Sequence, residues 1–312
     1  MTLPLKHILS VGECMVELAR EKDGRFALSF GGDTFNTAVY LARLGANVSY
    51  LTAVGNDPYS GQIIELAKGE RVGTDHIKVA KGRSAGLYLI ETDNGERSFW
   101  YWRDTSPARE VFQQENLESA RSAIADADII YFSGITLSLF QPDDLDNFAD
   151  ALAGAKARGA KIVMDSNYRP RGWTNGKAQA REVFQRFWSM ADIALPTLDD
   201  EQALWDEKSH HETVERLQGL GVTEICVKLG DKGAYVVAGS TEEHIPTEMI
   251  ATPVDTTAAG DSFNAAYVAA RVNGETIRDA VAIANQLAGI VVSHRGAIVP
   301  KSATESVTVQ SG

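Results

Sequence analysis

The apolar residues of this chain follow two alternating spacings. Short runs in which most residues are apolar, such as residues 7–12 and 48–54, are typical of strands buried on both faces of a parallel sheet. Between them, residues 35–44 carry apolar side chains three or four positions apart, which indicates a helix with one buried face. The alternation predicts an α/β fold with a mostly parallel central sheet and helices on both faces.

Further segments continue the alternation. The predicted strands lie at residues 128–132, 161–165, 192–195 and 224–228. The predicted helices lie at residues 59–67, 143–158, 177–190, 212–220, 261–272 and 277–292. Because no linker, low-complexity tract or internal repeat interrupts the pattern, we predict one domain over residues 1–312.

One region departs from this rhythm. Residues 86–91 and 96–103 are strand-like with no helix between them, and Asp93-Asn94-Gly95 joins them. An Asn-Gly pair between such runs is a strong signal for a tight hairpin. With residues 25–30 they predict a small sheet outside the main one. We interpret segments 14–31 and 85–104 as a lid inserted in the domain.

Composition narrows the class of protein. The 312 residues include 30 Lys and Arg against 42 Asp and Glu, a net charge of −12, which argues against a nucleic-acid partner. Only Cys14 and Cys226 are present, so we expect no disulfide framework and a reducing, cytoplasmic setting. No secretory leader and no run of 18 apolar residues is found, so we expect no membrane span.

Small residues lead into the predicted helix that begins near Asp261. Ala258, Ala259 and Gly260 carry little bulk, so an anion can approach the free backbone amides at this helix start. Asp261 beside such a site suits a base that takes a proton from an attacking hydroxyl. Spacing alone leaves a plain helix cap equally open, because aspartate is a favoured cap.

Two stretches together resemble the signatures of the ribokinase-like (pfkB) carbohydrate kinases. They are residues 255–263, DTTAAGDSF, and residues 30–38, FGGDTFNTA, the latter followed by VGND at 54–57. The resemblance implies a Rossmann-like core with a β lid and ATP-dependent phosphorylation of a sugar-like alcohol. It makes Asp261 the catalytic base, and the amides of residues 258–261 the anion hole.

The resemblance also implies sites for the nucleotide and its ions. The nucleotide contacts it implies are Asn167, Arg169, Lys228, Gly230, Gly233, Ala258, Gly260 and Asn285. For residues 228–233 a solvated turn is the alternative. Many relatives hold Mg²⁺ through water with Asn-x-x-Glu; this chain keeps Glu201 but has Leu198 at the asparagine position. Asp199 and Asp200 either add oxygen ligands or form an acidic first turn. Asp255 is expected to organise its loop or a monovalent cation such as K⁺.

Side-chain alternation in the lid indicates an acidic substrate. Tyr101 and Arg103 share one strand face with Phe99, while Trp100 and Trp102 share the other. The planar guanidinium of Arg103 matches a carboxylate of the substrate. Arg169, which follows a predicted strand, supplies a second guanidinium. In the alternative reading, Arg103 is surface charge and Arg169 serves only the phosphates of ATP.

Residues 86–88 (GLY), 101–103 (YWR), 133–137 (SGITL) and 167–170 (NYRP) resemble the subgroup that phosphorylates 2-keto-3-deoxygluconate at its 6-hydroxyl. The substrate contacts this implies are Gly32, Asp33, Asn36, Tyr88, Tyr101, Arg103, Arg169 and Asp261. A kinase of a neutral sugar such as fructose and a catalytically silent sugar-acid sensor stay open as alternatives. A dehydrogenase is disfavoured, since no Gly-x-Gly-x-x-Gly follows the first strand. The outward tryptophans lead us to expect a homodimer through the lid.

Overall fold

The computed structural model describes residues 6–21, 23–93, 96–247 and 253–309. Its strands form two separate sheets, one of nine strands and one of four. The strands of the large sheet are β1 (His7–Val11), β4 (Asn47–Val54), β5 (Ile77–Val79), β8 (Ile129–Ser133), β9 (Lys161–Asp165), β10 (Ile193–Leu195), β11 (Glu224–Lys228), β12 (Ala234–Ala238) and β13 (Thr241–Ile245). Those of the small sheet are β2 (Met15–Arg20), β3 (Phe26–Gly31), β6 (Leu87–Asp93) and β7 (Glu96–Trp102).

The large sheet is parallel except at one edge. Its order is β13-β12-β11-β10-β9-β8-β1-β4-β5, and only the pairs β11–β12 and β12–β13 are antiparallel. The seven strands β11, β10, β9, β8, β1, β4 and β5 of the large sheet are therefore parallel, and their carboxyl ends share one edge. Ligands of open α/β sheets bind at that edge.

Helices cover both faces of the large sheet. They are α1 (Asp33–Arg43), α2 (Pro58–Gly69), α3 (Leu117–Ala125), α4 (Gly134–Leu139), α5 (Pro142–Ala157), α6 (Gly176–Trp188), α7 (Leu198–Trp205), α8 (His210–Gly219), α9 (Ala259–Val272), α10 (Ile277–Val292) and α11 (Lys301–Thr304). Two apolar cores result, one containing residues of α3, α5, α6 and α8 and the other residues of α1, α9 and α10. Aromatic rings such as Phe112 and Phe148, 4.6 Å apart between centroids, fill the first core.

The small sheet, which we call the lid sheet, has the order β3-β2-β6-β7. Its inner face carries a small buried cluster of Met15, Tyr88 and Ile90. On its outer face Trp100 and Trp102 are 55% and 61% exposed. The predicted alternation of faces along β7 is therefore confirmed.

The predicted fold class is confirmed, and several elements were not predicted. These are β2, β5, β12, β13, α3, α4, α7 and α11. Most are short or carry charged residues on their buried face, as Glu17 in β2 does, so local periodicity does not reveal them. The predicted turn at Asn94-Gly95 lies outside the described residues. Among the described residues, no helix is both long and apolar enough to cross a membrane.

Candidate active site

A cavity of about 700 Å³ lies between the carboxyl edge of the large sheet and the lid sheet. On the core side it is lined by residues that follow β8, β9 and β10, by the end of β11, and by the turn before α9. The cavity thus occupies the edge that the topology favours for ligands. The sequence-predicted residues that line it are Gly32, Asp33, Asn36, Tyr88, Tyr101, Arg103, Asn167, Arg169, Lys228, Ala258, Ala259, Gly260 and Asp261.

The start of α9 is built without a side-chain cap. Ala258 is the N-cap residue and adopts a left-handed conformation with φ of 59°. The first amide to bond back to it is that of Ser262, 2.9 Å from the Ala258 carbonyl oxygen. The amides of Gly260 and Asp261 precede that bond, at the positive end of the helix dipole. A Cβ on Gly260 would meet only Lys228 Nζ, at 3.9 Å, so ligands can approach closely.

Asp261 is buried and held in place by helix α1. Its Oδ2 accepts a hydrogen bond from Asn36 Nδ2 at 2.8 Å, and Thr37 Oγ1 donates to its carbonyl oxygen at 3.2 Å. Burial and the negative charge of Asp33 raise the pKa of Asp261 to about 8. A carboxylate with a raised pKa is a stronger base, as proton abstraction requires.

Asp33 is the first residue of α1 and lies on the same side of the cavity. Its carboxylate accepts hydrogen bonds from Ser133 Oγ and from Asn167 Nδ2, the latter at 2.8 Å. Burial raises the pKa of Asp33, and Asp165 adds to the effect. Asn167 has a positive φ of 28°, and its Oδ1 is buried with no hydrogen-bond partner among the described residues. An orphaned acceptor of this kind is ready for a ligand.

Lys228 extends from the end of β11 into the floor of the cavity. Its Nζ donates to Asp165 Oδ1 at 2.8 Å and to Asn264 Oδ1 at 2.9 Å, and its side chain is 8% exposed. The ammonium is therefore bound within the protein, close to Gly260. The solvated turn considered for this segment does not describe Lys228.

On the lid side, Tyr101 and Arg103 line the cavity together with Phe99. The Arg103 guanidinium lies 5.8 Å from the centroid of the Tyr101 ring and forms an ion pair with Glu13. The Tyr88 hydroxyl donates to Glu17. Across the cavity, Arg169 Nη1 bonds to Asp200 Oδ1 at 3.0 Å while more than half of its side chain is exposed.

Other predicted residues lie away from the cavity lining. Glu201 is fully buried against Arg216, and burial raises its pKa to about 8. Gly230 begins the short helical turn between β11 and β12, and Gly233 ends it, with a positive φ of 89°. Asn285 donates to the carbonyl oxygen of Pro246 at 3.3 Å.

Asp255 organises the loop that precedes α9. Its Oδ1 accepts from the Thr257 amide at 2.8 Å and its Oδ2 from the Gly296 amide at 3.0 Å. These bonds are those of a loop organiser, one of the two roles expected for this residue.

The sequence analysis did not single out Glu13 and Asp165. Asp165 ends the buried strand β9, so its place at the carboxyl edge of the sheet was a usable signal. Glu13 offered no local signal, because its partner Arg103 is 90 positions further along the chain. Asp199 and Asp200 both line the cavity, whereas Glu201 of the same helix points into the core. Among the described residues, no cluster of three His, Cys, Asp or Glu side chains could by itself hold a metal ion.

Comparison with curated proteins gives matches over nearly the whole chain. The 2-dehydro-3-deoxygluconokinase of Escherichia coli strain K12 is 39% identical over 306 residues, which cover 96% of this chain and 98% of that protein. The protein of the same name from Haemophilus influenzae is 36% identical, covering 96% and 97%.

Solved structures share the fold at lower identity. A fructokinase from Vibrio cholerae O395, in a form with fructose, ADP and calcium ion bound, has a TM-score of 0.85 at 23% identity, covering 98% of this chain and 99% of that one. The 2-dehydro-3-deoxygluconokinase from Thermotoga maritima has a TM-score of 0.84 at 21% identity, covering 97% and 98%. The model of the pfkB family carbohydrate kinases matches residues 5–304. The family model and the curated relatives match nearly the whole chain, and the protein belongs to the pfkB family of carbohydrate kinases.

Proposed function

We propose that this protein transfers the γ-phosphoryl group of ATP to the 6-hydroxyl of 2-keto-3-deoxygluconate, also called 2-dehydro-3-deoxygluconate. The observation that carries the proposal is one cavity that holds both a buried carboxylate at a helix start and arginines on its other walls. The first arrangement serves phosphoryl transfer, and the second suits a sugar acid. The name shared by the relatives at 36–39% identity supports the same substrate.

In this proposal Asp261 removes the proton of the acceptor hydroxyl. Asn36 Nδ2 donates to Oδ2 of Asp261 at 2.8 Å, which leaves Oδ1 for the substrate hydroxyl. The hydroxyl oxygen then attacks the γ-phosphorus of ATP, the bond from that phosphorus to the bridging oxygen breaks, and ADP leaves. The amides of Gly260 and Asp261 neutralise charge on the transferred group, while that of Ala259 donates to the Thr256 carbonyl oxygen at 3.3 Å and would have to leave it to contribute. Positioning and charge neutralisation supply most of the rate in phosphoryl transfer.

The donor set fits a nucleotide phosphate with a divalent cation. Asp199 and Asp200 line the cavity, as does Asn167 with its orphaned Oδ1, and one or two such oxygens suit Mg²⁺ when phosphate and water supply its other ligands. When bound, Mg²⁺ neutralises the phosphate oxygens. We propose Asp200, with Asp199, as its nearest protein oxygens, and a role of Glu201 through water remains the alternative. The proposed K⁺ near Asp255 and the nucleotide contacts at Gly230, Gly233 and Asn285 are predictions that ligand-bound structures can test.

The acid group of the substrate is proposed to bind between the lid sheet and the loop after β9. Arg103 and Arg169 approach the cavity from opposite walls, with Tyr101 on the lid side. Arg169 is more than half exposed, so its guanidinium can leave Asp200 for a ligand at little cost.

A substrate panel tests the function. Purified protein is incubated with ATP, Mg²⁺ and either 2-keto-3-deoxygluconate, fructose or ribose, and ADP formation is measured. We expect kcat/KM for the sugar acid to exceed that for either neutral sugar by about 100-fold or more, as a buried charge pair allows. Preference for fructose would favour the neutral-sugar kinase. Binding of the sugar acid without ADP release would favour the silent sensor.

We also propose a homodimer formed through the outer face of the lid sheet. Phe26, Leu28, Trp100 and Trp102 are each more than 40% exposed there, and an apolar sheet face of this kind is usually covered.

Cys14 and Cys226 are buried free thiols, which suits the cytoplasm that we propose as the compartment.

A further inference from the structure

Four connections join the core to the described part of the lid sheet. Glu13 lies in one of them and is close to the other three. Glu13 lies just before β2, Gly32 just after β3, Gly86 just before β6 and Arg103 just after β7. The carboxylate of Glu13 pairs with Arg103. A Cβ on Gly86 would lie 2.9 Å from Glu13 Oε1, and a Cβ on Gly32 only 2.0 Å from the Glu13 carbonyl oxygen. The four connections therefore meet at Glu13.

The Glu13–Arg103 pair is also part of the cavity wall. The two side chains are 1% and 18% exposed, and both residues line the cavity. Oε1 of Glu13 and Nε of Arg103 have no hydrogen-bond partner within the described part of the chain. A buried guanidinium without a counter-ion is strongly disfavoured. Arg103 can therefore stay at the wall because Glu13 neutralises it.

We propose that Glu13 is a positioning residue, which holds Arg103 at the base of the lid sheet and ties lid position to occupancy of the sugar site. A guanidinium has five N–H donors, so Arg103 can serve Glu13 and a substrate carboxylate together. Substrate binding then fixes β7 and, through Glu13, the other three connections. The link to the substrate rests on the proposed function; the structural link between Glu13 and the lid sheet does not.

Steady-state kinetics test the link to the substrate. We expect Glu13→Ala to raise KM for the sugar acid by about tenfold or more, since Arg103 loses its counter-ion, and to leave KM for ATP within about twofold. Glu13→Gln keeps an acceptor oxygen but removes the negative charge, so its KM should also rise, by less than in Glu13→Ala. In an Arg103→Ala background, Glu13→Ala should change KM by less than about twofold. An equal rise of KM in both backgrounds, or equal rises for ATP and sugar acid, overturns the proposal.

Hydrogen exchange of the unliganded protein tests the structural link without any substrate. Amides of β2, β6 and β7 should exchange faster in Glu13→Ala than in wild type, by about tenfold, while those of β8 and β9 keep their rates. Glu91→Ala is the matched control, because Glu91 forms an exposed ion pair with Arg20 in the same sheet. Its lid exchange should equal that of wild type.

A second variant covers the case in which Glu13→Ala does not fold. The double variant Glu13→Ala/Arg103→Ala buries no unpaired charge, and its lid exchange should rise as in the single variant. Lid exchange equal to that of Glu91→Ala, in either variant, overturns the proposal. If the Glu13 variants show this faster lid exchange but wild type does not turn over the sugar acid, the proposed function fails and the role of Glu13 in the lid stands.

Discussion

Among single residues, Asp261 is buried and is expected to change from the protonated to the ionised form near neutral pH. Its side chain lies in the cavity wall, where burial and Asp33 favour the protonated form. Catalysis requires the deprotonated form. The pKa of Asp261 therefore governs how the rate depends on pH near neutrality.

Replacing Asp261 by asparagine removes the base but keeps its shape. We expect Asp261→Asn to lower kcat by about 1000-fold or more, with Kd for ATP and sugar acid within about threefold. Rapid-quench detection of ADP and calorimetric titration measure the two quantities. A variant that keeps more than about a tenth of the wild-type kcat would refute the assignment.

The same substitution should change the dependence of stability on pH. The pKa of Asp261 in the folded protein, about 8, lies above its unfolded value, so wild type loses stability as pH rises from about 4 towards 8. The asparagine side chain does not titrate in this range. The Tm of Asp261→Asn relative to wild type should therefore be higher at pH 8 than at pH 5; scanning calorimetry at both values checks this.

Asp33 offers a test of the charge coupling. Since its negative charge raises the pKa of Asp261, Asp33→Asn should shift the rising limb of kcat/KM to lower pH, by about one unit. The midpoint is the readout, whatever the loss in absolute rate. Asp150→Asn, on the exposed side of α5, serves as the control and should leave the midpoint unchanged. An unmoved midpoint in Asp33→Asn would contradict the coupling.

At the level of elements, the start of α1 is fixed by close packing against the base of the lid sheet. Gly32 is the N-cap residue of α1, and a Cβ there would lie 2.0 Å from the Glu13 carbonyl oxygen. Backbone cannot give way as a flexible side chain does. The glycine therefore sets how closely α1 and β2 approach, and with them Asn36 and Asp33.

Two glycine-to-alanine variants separate this packing effect from helix propensity. Gly32→Ala should lower the free energy of unfolding by about 1–3 kcal/mol and reduce kcat/KM, since the clash displaces α1. Gly61→Ala, in α2 with open space around its Cβ position, should raise it by about 0.5–1 kcal/mol. Urea titrations measure both. A Gly32→Ala variant as stable as Gly61→Ala would contradict the packing argument.

For the whole molecule, the outer face of the lid sheet decides the proposed assembly. Trp100 and Trp102 contribute most of its exposed aromatic surface. We expect wild type to have a mass of about 68 kDa in solution, twice the 33.8 kDa of the chain. Trp100→Ser/Trp102→Ser should bring it to the monomer value, measured by light scattering.

Val79 provides the control for this experiment. It is 48% exposed on β5, at the far edge of the large sheet, so Val79→Ser should keep the wild-type mass. A monomeric wild type would rule out the dimer. A dimeric double variant would place the interface elsewhere.

The sequence by itself determined the regular part of the fold. Strands β9 and β11 and helix α10 have the predicted bounds, because residues buried on one or two faces leave a periodic apolar pattern. It also indicated the helix start at residues 258–261 and the two faces of β7, since both follow from local order along the chain. Strand β2 was missed because its buried Glu17 breaks the pattern and is satisfied by Tyr88 and Ser29 from other strands.

The tertiary structure decided which polar and charged side chains meet. Asn36 and Asp261 are 225 positions apart, and Lys228 and Asp165 are 63 apart, yet each pair is in hydrogen-bond contact. It also turned Glu201 into the core and brought Glu13 to Arg103. Burial and pairing set the charge state of such groups, and both depend on which segments pack together; no local pattern of residues records that.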